Sequence, residues 1–318
     1  MEIGADGYIK NIKKIPIAFC FDDNLEMPAG VCITSLLVNA EPDTFYDIFI
    51  LHADKSTFQH GKLKELPARY GNCQITFRSV GRAFENAFEI RGITYAAYYR
   101  LLIPELITEY DKIIYSDVDV IFRNDLTRIY EETDLADFYM AGVVSVSANT
   151  EEAYTKSLIK MGLNPANYIY SGNLIFNSKQ LREDGIVPKF IEEASHSTYK
   201  RQDMDIINIV CKGRIKRMPP VFCVSVAVSK YATFQLENPC YTMQELAEAL
   251  QHGIIHYNGH KPWKQYCPYF DMWWEYYRKF VFFDQRYYFE FFSQKMHEYD
   301  LLPLWERVKI LARWFMYR

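Results

Sequence analysis

The sequence predicts an α/β protein with a mostly parallel central sheet that is flanked by helices. Short apolar, β-prone runs alternate with amphipathic helical patterns through the first third of the chain. Polar clusters follow two of these runs, at the carboxyl ends of strands, where such sheets bind ligands. The chain has 318 residues and is 49% hydrophobic and 24% charged, which is typical of a globular protein with one large domain or two small ones.

The predicted elements of the first half follow a β-α-β-α-β order. Residues 15–21 form the first strand, and Pro28 suits the first turn of a helix over Pro28–Ala40 because its fixed φ is helical. The elements that follow are a strand over Tyr46–His52, a helix over about Ser56–Arg69, a strand over Gln74–Val80, a helix over Thr94–Leu106 and a strand over Lys112–Tyr115. The second half is less regular, and its clearest elements are a strand over Tyr170–Asn177, a helix over Asp203–Cys211 and a short apolar run over Ile254–Tyr257.

Composition excludes several classes of protein. The net charge of −4 argues against a nucleic-acid binder. The seven cysteines include no CxxC pair, which argues against a zinc ribbon or a disulfide framework and favours a reducing cytoplasm. The N-terminal residues lack the apolar core of a secretory signal, and no uncharged apolar run approaches the ~18–20 residues that span a bilayer. We therefore expect a cytoplasmic protein.

The composition changes after Trp263. Residues 264–318 hold 20 aromatic residues, whereas the preceding 263 residues hold 32. A helix over 304–318 would place apolar side chains on one face, namely Leu304, Val308, Leu311, Trp314 and Phe315. Basic residues are interleaved with them, namely Arg307, Lys309, Arg313 and Arg318. Such a helix suits a membrane interface on the inner face of the plasma membrane, but docking onto the domain or onto a second copy of the chain stays open.

The strongest local feature is the segment Tyr115–Ile121, in which Asp117 and Asp119 follow an apolar strand. Residues two apart in an extended segment point to the same side. Two carboxylates on one side suit Mg²⁺ or Mn²⁺, which bind carboxylate and phosphate oxygens. The alternative interpretation is a pair of solvated loop acids, since this short pattern also occurs by chance.

A second feature is the segment His256–Trp263, which reads HYNGHKPW. His256 is a candidate metal ligand, Gly259 would let the backbone approach a diphosphate, and Lys261 suits a phosphate. Taken singly, each residue has an alternative interpretation. For His256 it is a hydrogen-bonded structural histidine, and for Lys261 it is a solvated surface charge.

Three weaker candidates complete the set. Asp22 and Asn24, at the end of the first strand, offer groups for a nucleobase and a ribose, or else a helix cap. Asp203, at a predicted helix start, has capping as its alternative. Arg100, in a tyrosine-rich helix pattern, is either a surface charge or a side chain aimed into the cleft.

Together and in this order, these segments resemble glycosyltransferase family 8, which comprises retaining, metal-dependent enzymes such as bacterial lipopolysaccharide galactosyl- and glucosyltransferases and glycogenin. The matching segments run from about residue 15 to 263 and read IAFCFDDN, ITYAAYYRLLIPEL, YDKIIYSDVDVIF, YIYSGNLIFN, QDMDIIN and HYNGHKPW. The resemblance implies a GT-A type nucleotide-sugar-binding domain over 1–263. Residues 264–318 would form an aromatic, basic helical extension.

The resemblance implies a role for each candidate residue. Asp117, Asp119 and His256 would bind Mn²⁺, or Mg²⁺, together with the phosphates of a UDP-sugar. The remaining contacts to the nucleotide would come from Asp22, Asn24, Asp117, Val118, Gly259 and Lys261. Arg100 and Asp203 would hold the donor sugar and carry the catalytic roles.

Three departures from the family pattern bear on the chemistry. Tyr170 stands where the family often has an asparagine, unless Asn173 replaces that amide by a shift in register. Met204 stands where the related galactosyltransferases have a glutamine, so a thioether replaces the amide oxygen beside the sugar. The loop from His256 to Lys261 is one residue shorter than in the family. We therefore favour departure and attack on the same face of the sugar, with Asp203 as electrostatic support.

The implied partners are a UDP-hexose donor, with galactose or glucose, and an oligosaccharide or lipid-linked glycan acceptor at the bacterial cell surface. A nucleotide-sugar hydrolase would use the same carboxylates, and a degenerate glycan-binding protein would retain the fold. The oligomeric state is open.

Overall fold

The structure is a computed structural model that describes residues 2–3, 9–10, 12–57, 61–84, 87–89, 94–196 and 198–317. The described strands are β1 Glu2–Ile3, β2 Ile9–Lys10, β3 Lys13–Cys20, β4 Thr44–His52, β5 Cys73–Ser79, β6 Lys112–Ser116, β7 Val120–Ile121, β8 Met140–Val144, β9 Ile169–Asn177, β10 Ile215–Met218 and β11 Ile255–His256. The described α-helices are α1 Glu26–Val38, α2 Leu66–Tyr70, α3 Ile103–Leu106, α4 Thr127–Glu132, α5 Val146–Thr150, α6 Glu152–Lys160, α7 Ser178–Glu183, α8 Ile186–His196, α9 Gln202–Val210, α10 Val226–Thr233, α11 Met243–His252, α12 Phe270–Lys279, α13 Gln285–Asp300 and α14 Leu304–Met316.

The central sheet has seven strands in the order β10-β8-β9-β6-β3-β4-β5. Four of its pairings are parallel, and only β9 runs antiparallel to both of its neighbours. β7 and β11 form a separate antiparallel pair. The predicted α/β fold with a mostly parallel sheet is therefore confirmed.

Two predicted helices differ from the structure. Of the helix predicted over about Ser56–Arg69, residues 58–60 lie outside the described residues, and the helical part begins as a 3-10 turn over Lys62–Glu65 and ends with α2. The helix predicted over Thr94–Leu106 is a 3-10 helix over Tyr95–Leu102 that continues into α3. The 3-10 winding aligns residues three apart. It thereby lets the Arg100 side chain donate to the Ala97 carbonyl at 2.7 Å.

The C-terminal segment packs onto the core through α12 and the residue that follows it. Ten consecutive residues of α1, from Pro28 to Leu37, are buried. A Cβ atom on Gly30 would lie 2.4 Å from Cζ of Phe280, so only glycine admits this ring. Four aromatic residues of α12 join the same buried core, namely Trp273, Trp274, Tyr276 and Tyr277. By contrast, α14 contributes no buried residue. The division at residue 263 stays a prediction.

None of the helices in the described part of the chain is long and apolar enough to cross a membrane.

Candidate active site

The two polar clusters meet at one edge of the sheet. β3 and β6 are adjacent and parallel, with Phe19 paired to Ser116. Asp22 follows β3 and Asp117 follows β6, so both lie beyond the carboxyl ends of neighbouring strands. This is the edge at which parallel sheets bind ligands.

Main-chain hydrogen bonds fix the two aspartates. The N–H of Asp117 donates to the Gly172 carbonyl at 2.7 Å, and the carbonyl of Asp119 accepts from the N–H of Tyr257 at 2.9 Å. The side chain of Val118, between them, is only 2% exposed and belongs to the core. Asp117 and Asp119, which flank Val118, are both partly exposed.

A short strand pairing brings His256 to the aspartates. His256 pairs with Val120 across β11 and β7. Its Nε2 atom lies 3.5 Å from Oδ2 of Asp117 and 3.2 Å from Oδ1 of Asp119. Its Nδ1 atom lies 3.4 Å from the buried thiol of Cys223. Residues that are more than 130 positions apart in the chain thus share one site.

These three residues fit a divalent metal. One ligand atom from each of Asp117, Asp119 and His256 lies within 4.8 Å of the others. Two carboxylates and an imidazole suit Mn²⁺ better than Ca²⁺, which prefers oxygen ligands alone. Gly172 keeps the space beside them open, because a Cβ atom there would lie 2.2 Å from Cε1 of His256. The predicted residues therefore come together as a candidate metal site.

Positive charges surround Asp119. The amine of Lys261 contacts Oδ2 of Asp119 and donates to the carbonyl of Tyr257 at 2.5 Å. Burial alone would raise the pKa of the Asp119 carboxyl, but the charges of Lys261 and His256 outweigh burial and hold it well below its usual range. Burial alone would lower the pKa of His256, but Asp119 outweighs it and raises that pKa well above its usual value.

Arg100 is buried in the cleft, not on the surface. Its Nη1 group donates to the Ser171 carbonyl at 2.7 Å, and its Nη2 group lies 3.0 Å from Oδ1 of Asp117. Its Nε atom lies 3.3 Å from Oδ2 of Asp203. The guanidinium also lies 4.5 Å above the ring of Tyr115. Arg100 therefore links a candidate metal ligand to the candidate sugar-binding carboxylate.

Asp203 presents a buried oxygen that is ion-paired with Arg100 but accepts no hydrogen bond from the described residues. Its Oδ2 atom accepts no hydrogen bond from the described residues, since the Nε–H of Arg100 is donated to Ala97. Burial raises the pKa of Asp203 to about 6, although Arg100 opposes the rise. A sugar hydroxyl is the kind of donor that this oxygen would accept.

Asp22 acts as a helix cap, and its role toward a nucleotide stays a prediction. Its Oδ1 atom caps a 3-10 helix over Asp23–Leu25 by accepting from the N–H of Asn24 at 3.0 Å. Its Oδ2 atom accepts from the hydroxyl of Thr94 at 3.1 Å. The Asn24 side chain is exposed at the same edge of the sheet.

The structure accounts for two of the departures from the family pattern. Met204 packs into a small apolar cluster with Tyr154 and Tyr168. Tyr170 accepts from the amide of Asn258 at 3.4 Å, in the loop that follows His256. Asn173 is fully buried and donates to the hydroxyl of Ser116 at 3.3 Å, so it does not offer a replacement amide at the cleft surface.

Sequence reasoning missed two residues of this site. Tyr115 donates to Oδ1 of Asp117 at 2.5 Å and lies beneath Arg100. Its place two residues before Asp117 was a usable signal, because both project from the same side of an extended segment. Cys223 had no local signal, since its contact with His256 depends on the bridge between Val224 and Ile255.

The fold is that of a GT-A glycosyltransferase. It is similar to the galactosyltransferase LgtC in complex with donor and acceptor sugar analogues, with a TM-score of 0.70 and 25% identity over 86% of this chain and 99% of that one. Residues 16–267 match the family model described as Glycosyl transferase family 8. The chain therefore belongs to glycosyl transferase family 8, and it is a glycosyltransferase.

Two curated relatives show the range of similarity. The chain is 25% identical to general stress protein A of Bacillus subtilis, over 82% of this chain and 92% of that protein. It is 31% identical to a putative glycosyltransferase of Haemophilus influenzae, over 46% of this chain and 44% of that protein. The matched region therefore spans nearly all of the first relative and less than half of the second.

Proposed function

We propose that this enzyme transfers galactose or glucose from a UDP-sugar to a hydroxyl group of a growing bacterial cell-surface oligosaccharide, with retention of the α configuration and with Mn²⁺. The observation that carries the proposal is the convergence of Asp117, Asp119 and His256 within 4.8 Å at the ligand-binding edge of the sheet. Lys261 and Arg100 lie against the same carboxylates. Carboxylates beside fixed cations are the groups that a diphosphate leaving group requires.

The residues of the chain would hold the donor from the nucleotide to the sugar. Asp22 and Asn24 would hold the uracil and ribose, and the main chain at Val118 would line the nucleotide. Asp117, Asp119 and His256 would hold Mn²⁺, which neutralises charge on the diphosphate when it is bound. Gly259 would admit the diphosphate, because a Cβ atom there would meet only Val226, at 3.4 Å. Lys261 would contact a phosphate oxygen.

Arg100 and Asp203 would act at the donor hexose. The Oδ2 atom of Asp203, which accepts no hydrogen bond from the described residues, would accept one from a sugar hydroxyl, and the ionised carboxylate would stabilise positive charge at the anomeric carbon. Arg100 would hold that carboxylate in place. Because Met204 packs into its own apolar cluster, the chain offers no amide at that position to act on the far side of the sugar. We therefore favour attack on the face from which UDP departs, with the acceptor proton passing to the departing phosphate oxygen.

The exposed side chains of α14 favour binding of the enzyme to a membrane surface. Leu304, Trp305 and Phe315 of α14 are 77%, 65% and 67% exposed. Basic side chains on the same helix would meet anionic lipid, as in interfacial amphipathic helices. A lipid-linked or core oligosaccharide at the inner leaflet is the acceptor that such a contact would favour, and self-association through α14 is the competing use of this surface.

UDP release from a panel of UDP-sugars tests the proposal. Release is measured with Mn²⁺ and with EDTA, first without acceptor and then with glycans that end in a hexose. We expect slow, Mn²⁺-dependent release from UDP-galactose or UDP-glucose that accelerates with the correct acceptor, and loss of this release in Asp119→Asn. Release that no sugar acceptor accelerates would favour a hydrolase. Absence of both release and Mn²⁺-dependent UDP binding would favour a glycan-binding protein.

A further inference from the structure

The amine of Lys261 lies directly on a proposed metal ligand. It contacts Oδ2 of Asp119, while Oδ1 of the same carboxylate lies 3.2 Å from Nε2 of His256. The Asp119 side chain is only 16% exposed, so its oxygens have little access to water. Both oxygens of this carboxylate therefore already have a positively charged or hydrogen-bonding neighbour within the chain.

The short loop explains why Lys261 reaches this position. Only four residues separate His256 from Lys261, and Lys261 folds back so that its amine donates to the carbonyl of Tyr257 at 2.5 Å. The residues between Tyr257 and Lys261 are exposed. A lysine side chain is a flexible stem with a compact charge, so its amine can change partners without a movement of the sheet.

We propose that Lys261 competes with the divalent ion for Asp119 in the donor-free enzyme and moves onto the diphosphate when the donor binds. This inference rests on the proposed function, because it requires a metal and a nucleoside diphosphate at this site. A metal ion that binds alone must displace the lysine from Asp119 and then remain beside a positive charge that has lost its carboxylate partner. When the diphosphate is present, the displaced amine gains an anionic partner.

The exchange makes metal and donor binding mutually reinforcing. Any factor by which the diphosphate increases the affinity for metal must equally be the factor by which metal increases the affinity for the diphosphate. Replacement of Lys261 by an uncharged residue has two opposite effects under this scheme. It removes the competitor for Asp119, and it removes a partner of the diphosphate. A purely structural lysine would weaken both ligands together.

The experiment measures Mn²⁺ binding to the full-length protein by electron paramagnetic resonance of free Mn²⁺, with and without UDP. The variants are Lys261→Met and Lys261→Gln, and the matched control is Lys264→Met, because Lys264 is an exposed lysine on the same loop. We expect Mn²⁺ affinity without UDP to rise by roughly 10-fold in the Lys261 variants, within the usual range of coupling between two sites. In the presence of Mn²⁺, the UDP affinity of the Lys261 variants is expected to fall. The Lys264→Met control is expected to match the wild type in both affinities.

The outcomes separate the exchange from the proposed function. Unchanged or weaker Mn²⁺ binding in both folded Lys261 variants would overturn the exchange, while Mn²⁺-dependent UDP release by the wild type would leave the proposed function standing. A wild type that binds neither Mn²⁺ nor UDP would overturn both. Thermal unfolding of each variant shows whether it is folded, and the glutamine variant serves if the methionine variant is not.

Discussion

Gly172 faces His256 so closely that no other residue fits at its position. A Cβ atom on Gly172 would lie 2.2 Å from Cε1 of His256 and 2.8 Å from Oδ2 of Asp117. The main chain of Gly172 also accepts the hydrogen bond that fixes Asp117. β9 thus sets the position of two candidate ligands, although it supplies none.

Gly172→Ala is therefore expected to disrupt the metal site. The added methyl group must push the imidazole or the carboxylate away, and we expect Mn²⁺ affinity to fall at least ~10-fold, as when supporting residues of metal sites are lost. Gly259→Ala is the matched control, since its Cβ would meet only Val226 at 3.4 Å. Mn²⁺ titration of both folded variants is the measurement. Equal affinities for the two variants would contradict the steric requirement.

Cys223 is expected to orient His256. For Nε2 of the neutral ring to face a metal ion, Nδ1 must carry the proton, and Cys223 Sγ at 3.4 Å is its acceptor. Cys223→Ala leaves that N–H without this partner, so we expect Mn²⁺ affinity to fall ~10-fold, whereas Cys223→Ser supplies a hydroxyl oxygen and restores most of it.

The control for Cys223 is Cys211→Ala, which removes another fully buried thiol. It tests whether loss of packing alone weakens the metal site. Mn²⁺ affinities that fall equally in Cys223→Ala and Cys211→Ala would show that the effect is one of packing and not of ring orientation.

The sequence predicted the elements whose signal is local. Alternating apolar runs and helical patterns predicted β3, α1, β4, β5 and β6 to within a few residues, because burial on a sheet imposes its own periodicity. The predicted helix over Ser56–Arg69 was wrong at its start, since Ser56 and Thr57 are not helical. The antiparallel direction of β9 was not predicted, because strand direction depends on the path of the chain and not on the pattern of the strand.

Most members of the candidate site were predicted from the sequence, but their contacts were not. Asp117 and His256 came from motifs, yet their meeting depends on the two-residue pairing of β7 with β11. Arg100 and Asp203 were weak candidates, because a surface charge and a helix cap explained them equally well. In the structure, both are buried and lie against each other. The role of Cys223 could not be predicted from the sequence, because a single cysteine in an apolar run has no spacing from which a role could be inferred.

Asp203 is expected to make stability depend on pH. Its folded pKa of about 6 exceeds its unfolded value of 3.8, so the folded protein binds the proton more tightly. The favourable contribution is complete below pH ~4 and is lost as pH rises through ~6, by no more than about 3 kcal/mol. Urea unfolding of the metal-free protein from pH 4 to 7 measures it. We expect the free energy of unfolding to fall less steeply with pH in Asp203→Asn. An unchanged pH dependence would refute the assignment to Asp203.

The exposed face of α14 is expected to bind anionic vesicles. Deletion of residues 304–318 should abolish vesicle sedimentation and leave UDP binding intact, since no residue of α14 is buried. The deletion also removes the contact between Trp314 and Asp271, so Leu304→Ser with Phe315→Ser serves as a second variant that spares it. Both residues are more than 60% exposed, and their loss should weaken vesicle binding at least ~10-fold through lost apolar burial. Vesicle binding equal to that of the wild type, with a smaller mass by light scattering, would assign this face to a second copy of the chain.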